Sequence, residues 1–178
     1  MVGVISLLWL KKTPTLIAGL TEYLNLKPAT KKPTEIFVYA KLLNMFPEIN
    51  WRYFFNGKRA GKDVYFGVFY SNKQEYCFFS IKDEVKPMLV SDNDLGDIYQ
   101  EKTKLENLHI YAKDRYMLEN IEKSDQFILD TQYLFMGRNN YLEFTDLNQV
   151  ILITDYKFTN IKEILEFFAK FSHIKEHL

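Results

Sequence analysis

The chain has 178 residues, 47% hydrophobic and 26% charged, which excludes a disordered segment too poor in apolar surface to offset its own chain entropy. Lys plus Arg and Asp plus Glu number 23 each, so no overall field draws the molecule to nucleic acid or an anionic membrane. One cysteine, Cys77, excludes an internal disulfide and, with no N-x-Ser/Thr sequon, favours an intracellular, cytoplasmic address.

A chain of this length fits one domain that buries roughly 70% of the surface its unfolded form exposes. Val2 to Leu10 is apolar, but it lacks a basic leader and a small-residue cleavage site. It is also shorter than the roughly 20 residues needed to span a bilayer, so no membrane contact is expected. Ser6 can cap a short turn, after which Thr13 and Pro14 open a helix with Leu16, Ile17, Leu20 and Leu24 on one face. Lys27 to Pro33 reads as a solvated linker. Thr34 opens a second helix through Ile36, Phe37, Ala40, Leu43 and Phe46, which Pro47 ends.

The chain is organised around residues 51–83, where Trp51 to Phe55, Val64 to Tyr70 and Tyr76 to Ile81 alternate aromatic and β-branched residues as a β-meander. Breaks are expected at Asn56-Gly57 with Gly61 and at Ser71-Asn72. Further on, Lys86 to Val90 reads as a short strand, Ser91 to Asp97 as a polar turn and Asn107 to Ala112 as a strand. Asp114 caps a helix carrying Met117, Leu118 and Ile121, and Ser124 caps the next segment. Residues 98–108 and 125–136 stay open between helix and strand, with Gln132 to Met136 and Tyr141 to Phe144 as an alternative hairpin. Val150 to Thr154 is a buried strand, and Thr159 caps a last helix with Ile161, Ile164, Leu165, Phe168 and Phe171 on one face. The sum is one α+β domain over residues 1–178: a mainly antiparallel sheet of about five strands with amphipathic helices from both ends of the chain packed on it.

Motifs that would carry chemistry fall short of their patterns. Asn56 to Lys62 ends in Gly-Lys like a phosphate loop, but Asp63 stands where a magnesium-binding hydroxyl belongs and a strand follows instead of a helix. What survives is a basic hairpin tip of Lys58, Arg59 and Lys62. Strict alternation puts Trp51, Tyr53 and Phe55 on one face and Tyr65, Gly67 and Phe69 on the face of the next strand, a surface that could stack single-stranded bases if exposed. Asp63, Glu75 and Lys82 faintly outline a metal-dependent nuclease hairpin, although Ser80 replaces its second carboxylate. His173 and His177 lie four apart on the last helix without the remaining ligands of a zinc site. Asp92, Asp94 and Asp97 miss the calcium-loop spacing.

No catalytic residue, metal ligand or cofactor is therefore assigned. The favoured reading is a non-enzymatic protein-binding module whose anchors are Arg52, Tyr53, Lys58, Arg59, Lys62, Tyr65 and Tyr70, because Tyr and Arg most often anchor interfaces. The nuclease and the single-strand nucleic-acid binder are its alternatives. In general build, short, intracellular, α+β and aromatic-rich, the chain resembles immunity proteins that neutralise bacterial toxins. That likeness is one of build, not of motif, and it implies steric blocking of a toxin's active site with no turnover and no cofactor.

Overall fold

A computed structural model describes residues 14–178 except 32, 38, 85, 97, 98, 106, 137, 138 and 178, and at 175 and 177 the backbone only. The expected Ser6 turn and the Thr13 cap lie outside the described residues. Helix α1 covers residues 14–23 and buries Ile17 and Leu20, with Leu24 just beyond it. The expected linker is exposed at Lys27–Pro28 but not without structure, because this pair (β1) joins Asn56 and Phe55 at the sheet edge, and at its far end Pro33 is buried.

The second expected helix is broken into two short turns, α2 (Pro33–Ile36) and α3 (Lys41–Asn44). The interruption has a cause. The Glu143 carboxylate accepts hydrogen bonds from the Lys41 and Leu42 backbone N–H groups, both at 2.9 Å, and so starts α3 afresh.

The meander forms as read and runs longer, through β2 (Asn50–Arg59), β3 (Lys62–Ser71) and β4 (Gln74–Lys82). Its turns sit at Ala60-Gly61 and Asn72-Lys73, where all four residues have φ between 49° and 79°. Two left-handed residues in a two-residue loop match the right-handed twist of the flanking strands. Asn56-Gly57 is therefore no break. Gly57 lies inside β2 because Leu26 packs so close that a Cβ there would stand 2.8 Å from Leu26 Cδ2.

Beyond the meander come β5 (Met88–Ser91), β6 (Glu101–Leu105), β7 (Leu108–Ala112), α4 (Arg115–Glu122), α5 (Asp125–Phe135), β8 (Asn140–Phe144), β9 (Gln149–Thr154) and α6 (Ile161–His173), with a closing 3-10 turn over Ile174–His177. Asp114 and Ser124 cap their helices as expected, accepting from the Met117 and Phe127 N–H groups. Gln132 to Met136 is helical to Phe135 and forms no hairpin with β8. The cap of α6 is Asn160, one residue past the expected Thr159, while Glu163 reaches back to the Thr159 N–H at 2.8 Å.

The described strands make one antiparallel sheet of nine, in the order β1-β2-β3-β4-β9-β8-β5-β7-β6, against the expected five. The α+β antiparallel class holds. The short strands expected at Lys86 to Val90 and Asn107 to Ala112 form as β5 and β7; the size was underestimated because β1 lies in the expected linker, β8 stood only as an alternative hairpin, and β6, Glu101-Lys-Thr-Lys-Leu105, has no apolar face.

Both faces are covered. Val64, Phe66, Val68, Phe79, Leu142, Phe144 and Leu152 meet α1, α4, α5 and α6 in the larger core. On the opposite face Phe69, Phe78, Ile151 and Ile153 lie under Phe37, Ala40 and Leu42 of the α2–α3 segment. Among the described residues no helix is long and apolar enough to cross a membrane.

Candidate functional site

The seven residues singled out from sequence fall into three places. A bulge in β2, where the register to β3 shifts between Trp51 and Tyr53, sends Trp51 to the α2–α3 side and Tyr53 and Phe55 to the larger core. Strict alternation would have kept these three on one face. The bulge also frees Arg52 to turn over the end of β3 and β4.

There Arg52 Nη1 donates to the Tyr70 hydroxyl at 3.2 Å, stands 3.5 Å from Glu75 Oε2, and its guanidinium lies 5.2 Å from the centre of the Tyr53 ring. The Glu75 side chain is 7% exposed, and neither of its oxygens has a hydrogen bond of ordinary length and angle. Burial pushes its carboxyl above the usual glutamate range, and the nearby Tyr70 hydroxyl and the Arg52 and Lys157 cations pull it part of the way back. Burial also raises Tyr70, and Glu75 adds to the rise. Arg52, Tyr53 and Tyr70 thus form one open rim, held on strands, with a desolvated acid beneath it.

The hairpin tip is a separate place. Lys62 is engaged by Asp83 at 2.6 Å, and the Arg59 guanidinium lies 5.5 Å from the ring centres of both Tyr23 and Phe168. Lys58 is exposed, with Asp63 Oδ1 4.0 Å away. Two of the three tip cations thus serve internal contacts. Tyr65 lies on the α2–α3 face, edge-on to Phe37 at 5.2 Å and beside a polar recess of about 340 Å³ that Thr30, Lys31, Glu35 and Asn56 help to line.

The other constellations are not assembled. Tyr70 pairs with Glu75 and Val64 with Ile81, so Asp63 and Glu75 sit at opposite ends of the β3–β4 ladder, about 24 Å apart at 3.4 Å per residue. Lys82 shares the Asp63 end. Of the expected stacking surface, Trp51, Tyr65 and Phe69 pack with Phe37, Phe46 and Phe78 on the α2–α3 side while Tyr53 and Phe55 lie against the larger core, so these rings do not share one face. His173 Nδ1 contacts Glu176 at 2.9 Å. The His177 side chain and Asp97 lie outside the described residues. Asp94 braces its own turn, accepting from Gly96 N–H and the Tyr111 hydroxyl. Cys77 is buried, and desolvation drives its thiol pKa upward. Among the described residues no group of three or more His, Cys, Asp or Glu is placed to hold a metal ion.

Sequence reasoning missed Glu75 as the acid under Arg52, and Lys157 altogether. One signal was there: a two-residue turn at Asn72-Lys73 sets Tyr70 opposite Glu75 by register alone. The bulge that brings Arg52 in had none.

No family model matches the sequence, and no curated protein matches it. Among solved structures, the fold is similar to the crystal structure of the mycobacterial trehalose monomycolate transport factor A, TtfA, with a TM-score of 0.63 over 92% of each chain at 7% sequence identity. At that identity the likeness shows the fold alone.

Proposed function

We propose that this chain is a non-enzymatic protein-binding module that grips its partner at the rim of the meander, with Arg52, Tyr53 and Tyr70 as anchors. The observation that carries the reading is the Arg52–Tyr70–Glu75 cluster. Aromatic and guanidinium groups lie half-open on rigid strands, so they lose little freedom on binding and offer both apolar area and donors. Glu75 beneath them holds the Arg52 charge in register. An immunity-type role, with this rim plugging the active site of a toxin, is the form of binding that the chain's build suggests.

The test begins by purifying the protein that co-purifies with the wild-type chain, then titrating it calorimetrically against wild type, Arg52→Ala and Lys58→Ala. Loss of a central anchor costs about 2 kcal/mol or more, about 30-fold in Kd, whereas Lys58→Ala at the separate tip changes Kd by less than about threefold. Undiminished affinity in Arg52→Ala, with its melting curve intact, contradicts the reading.

A further inference from the structure

Glu75 lies under the rim of the meander, yet its side chain is only 7% exposed and neither of its oxygens has a hydrogen bond of ordinary length and angle. A carboxylate so placed is held chiefly by the charges around it. The groups that face it come from three elements. Arg52 of β2 stands 3.5 Å away, the Tyr70 hydroxyl of β3 lies beside it, and the Lys157 cation acts on it from beyond β9. Cys77, two residues on and on the same face of β4, is buried and keeps its thiol proton. The preceding Gln74 donates to Asp155 at 2.9 Å, and the backbone and side chain of Asn139 donate to the same carboxylate, so that acid is committed to amides.

Arg52 has few other ties. Its bond to the Tyr70 hydroxyl, at 3.2 Å, is at the long end of the usual range of about 2.7–3.2 Å. The Tyr53 ring, 5.2 Å from the guanidinium, adds a weak contact, and the Arg52 side chain is 30% exposed, so water competes for it. The Glu75 charge is therefore the main restraint on the guanidinium. A proton on Glu75 removes that charge and supplies an O–H donor, for which the Tyr70 oxygen is the adjacent acceptor. Arg52 Nη1 uses the same oxygen, so acid and guanidinium then compete for it.

We propose that Glu75 is a proton-operated latch on Arg52: ionised, it holds the guanidinium over the ends of β3 and β4; protonated, it donates to the Tyr70 hydroxyl and releases Arg52 to water, so the rim loosens its grip on acidification. The effect on grip rests on the rim being the binding surface, whereas the latch itself operates in the free chain. Burial raises the Glu75 carboxyl above the ordinary glutamate range and so moves the release toward mild acid.

The test is an NMR titration of the full ¹⁵N,¹³C-labelled chain from pH about 7 to about 4.5, reading the Glu75 Cδ shift and the order of the Arg52 Nε–H group. Arg59 is the reference, since its guanidinium at the tip lies against Tyr23 and Phe168. Arg52 is expected to lose order with the same midpoint as Glu75 while Arg59 does not, and in Glu75→Gln to be mobile at every pH. Kd for the co-purified partner is expected to weaken between pH about 7 and about 5 by at least about tenfold more in wild type than in Glu75→Gln. An Arg52 that stays ordered while Glu75 takes up its proton, a midpoint it does not share with Glu75, a Glu75 that keeps its charge until the chain unfolds, or equal pH dependence of Kd in the two proteins each overturns the proposal. Arg52→Ala separates this from the reading of the rim: lost affinity in that variant beside an Arg52 that ignores Glu75 removes the latch and leaves the rim, whereas full affinity beside an Arg52 that follows Glu75 removes the rim as the grip and leaves the latch.

Discussion

Two residues show how closely the site is tied to single atoms. Gly67 lies in the middle of β3 under the Trp51 indole, and a Cβ there would stand 2.6 Å from Trp51 Cζ3 and 3.1 Å from Phe54 Cδ2. The missing side chain lets the indole lie flat across the strand, which seats the residue just before the bulge. Gly67→Ala should cost about 1–3 kcal/mol in chemical denaturation, because the indole must leave its place among Phe54, Phe69 and Phe78. A variant as stable as wild type would mean that the indole does not pin β2. Glu75 makes a prediction in pH. Burial raises its carboxyl above the ordinary value of 4.5, so the native state keeps a proton that the unfolded chain has already released. More protons bound in the native state means that stability falls as pH rises between 4.5 and the raised native value, and the loss persists above it. Glu75→Gln removes that dependence. The stability of the variant relative to wild type should therefore climb as pH goes from about 4 to about 7. A difference flat across that range would mean that Glu75 is not desolvated in solution.

At the scale of elements, what the sequence made legible was what short-range chemistry decides. The Asp114 and Ser124 caps, the apolar run of β9 and the aromatic alternation of β3 and β4 all follow from neighbours a few residues away. What could not be read depends on distant partners. The break between α2 and α3 is set by Glu143, about a hundred positions on, whose carboxylate takes the Lys41 and Leu42 N–H groups. The helical period through Ile36, Phe37, Ala40 and Leu43 carries no trace of that. Glu143→Ala should take the carboxylate acceptor away from the Lys41 and Leu42 amides and cost about 1–3 kcal/mol, with hydrogen exchange accelerating first at residues 41–46. Exchange unchanged there would show that packing of Leu42 and Phe46 alone holds α3. The β2 bulge belongs to the same class: Trp51, Arg52 and Tyr53 alternate correctly on paper, and only the packing of Trp51 on Gly67 selects the shifted register.

For the molecule as a whole, the nine described antiparallel strands, covered on both faces, make a stiff plate, and the Arg52–Tyr70 rim sits at one end of its meander. Of the far strands, β5 and β7 were legible as Lys86 to Val90 and Asn107 to Ala112, although Leu89 and Tyr111 face one core while Val90 and Ile110 face the other, whereas β6, Glu101-Lys-Thr-Lys-Leu105, carries too little apolar pattern to be read. The candidate anchors were legible as residue types but not as a group. Arg52, Tyr53 and Tyr70 meet only because the bulge and the Asn72-Lys73 turn bring them to one end, whereas Lys58, Arg59 and Lys62 are carried to the other. That separation makes the account testable in one experiment: hydrogen exchange of the chain, free and saturated with its co-purified partner protein. Slowed exchange is expected at residues 50–53 and 70–76, with the 58–62 tip unchanged. Protection confined to the tip, or to any surface that leaves 50–53 and 70–76 exchanging as in the free chain, would contradict it.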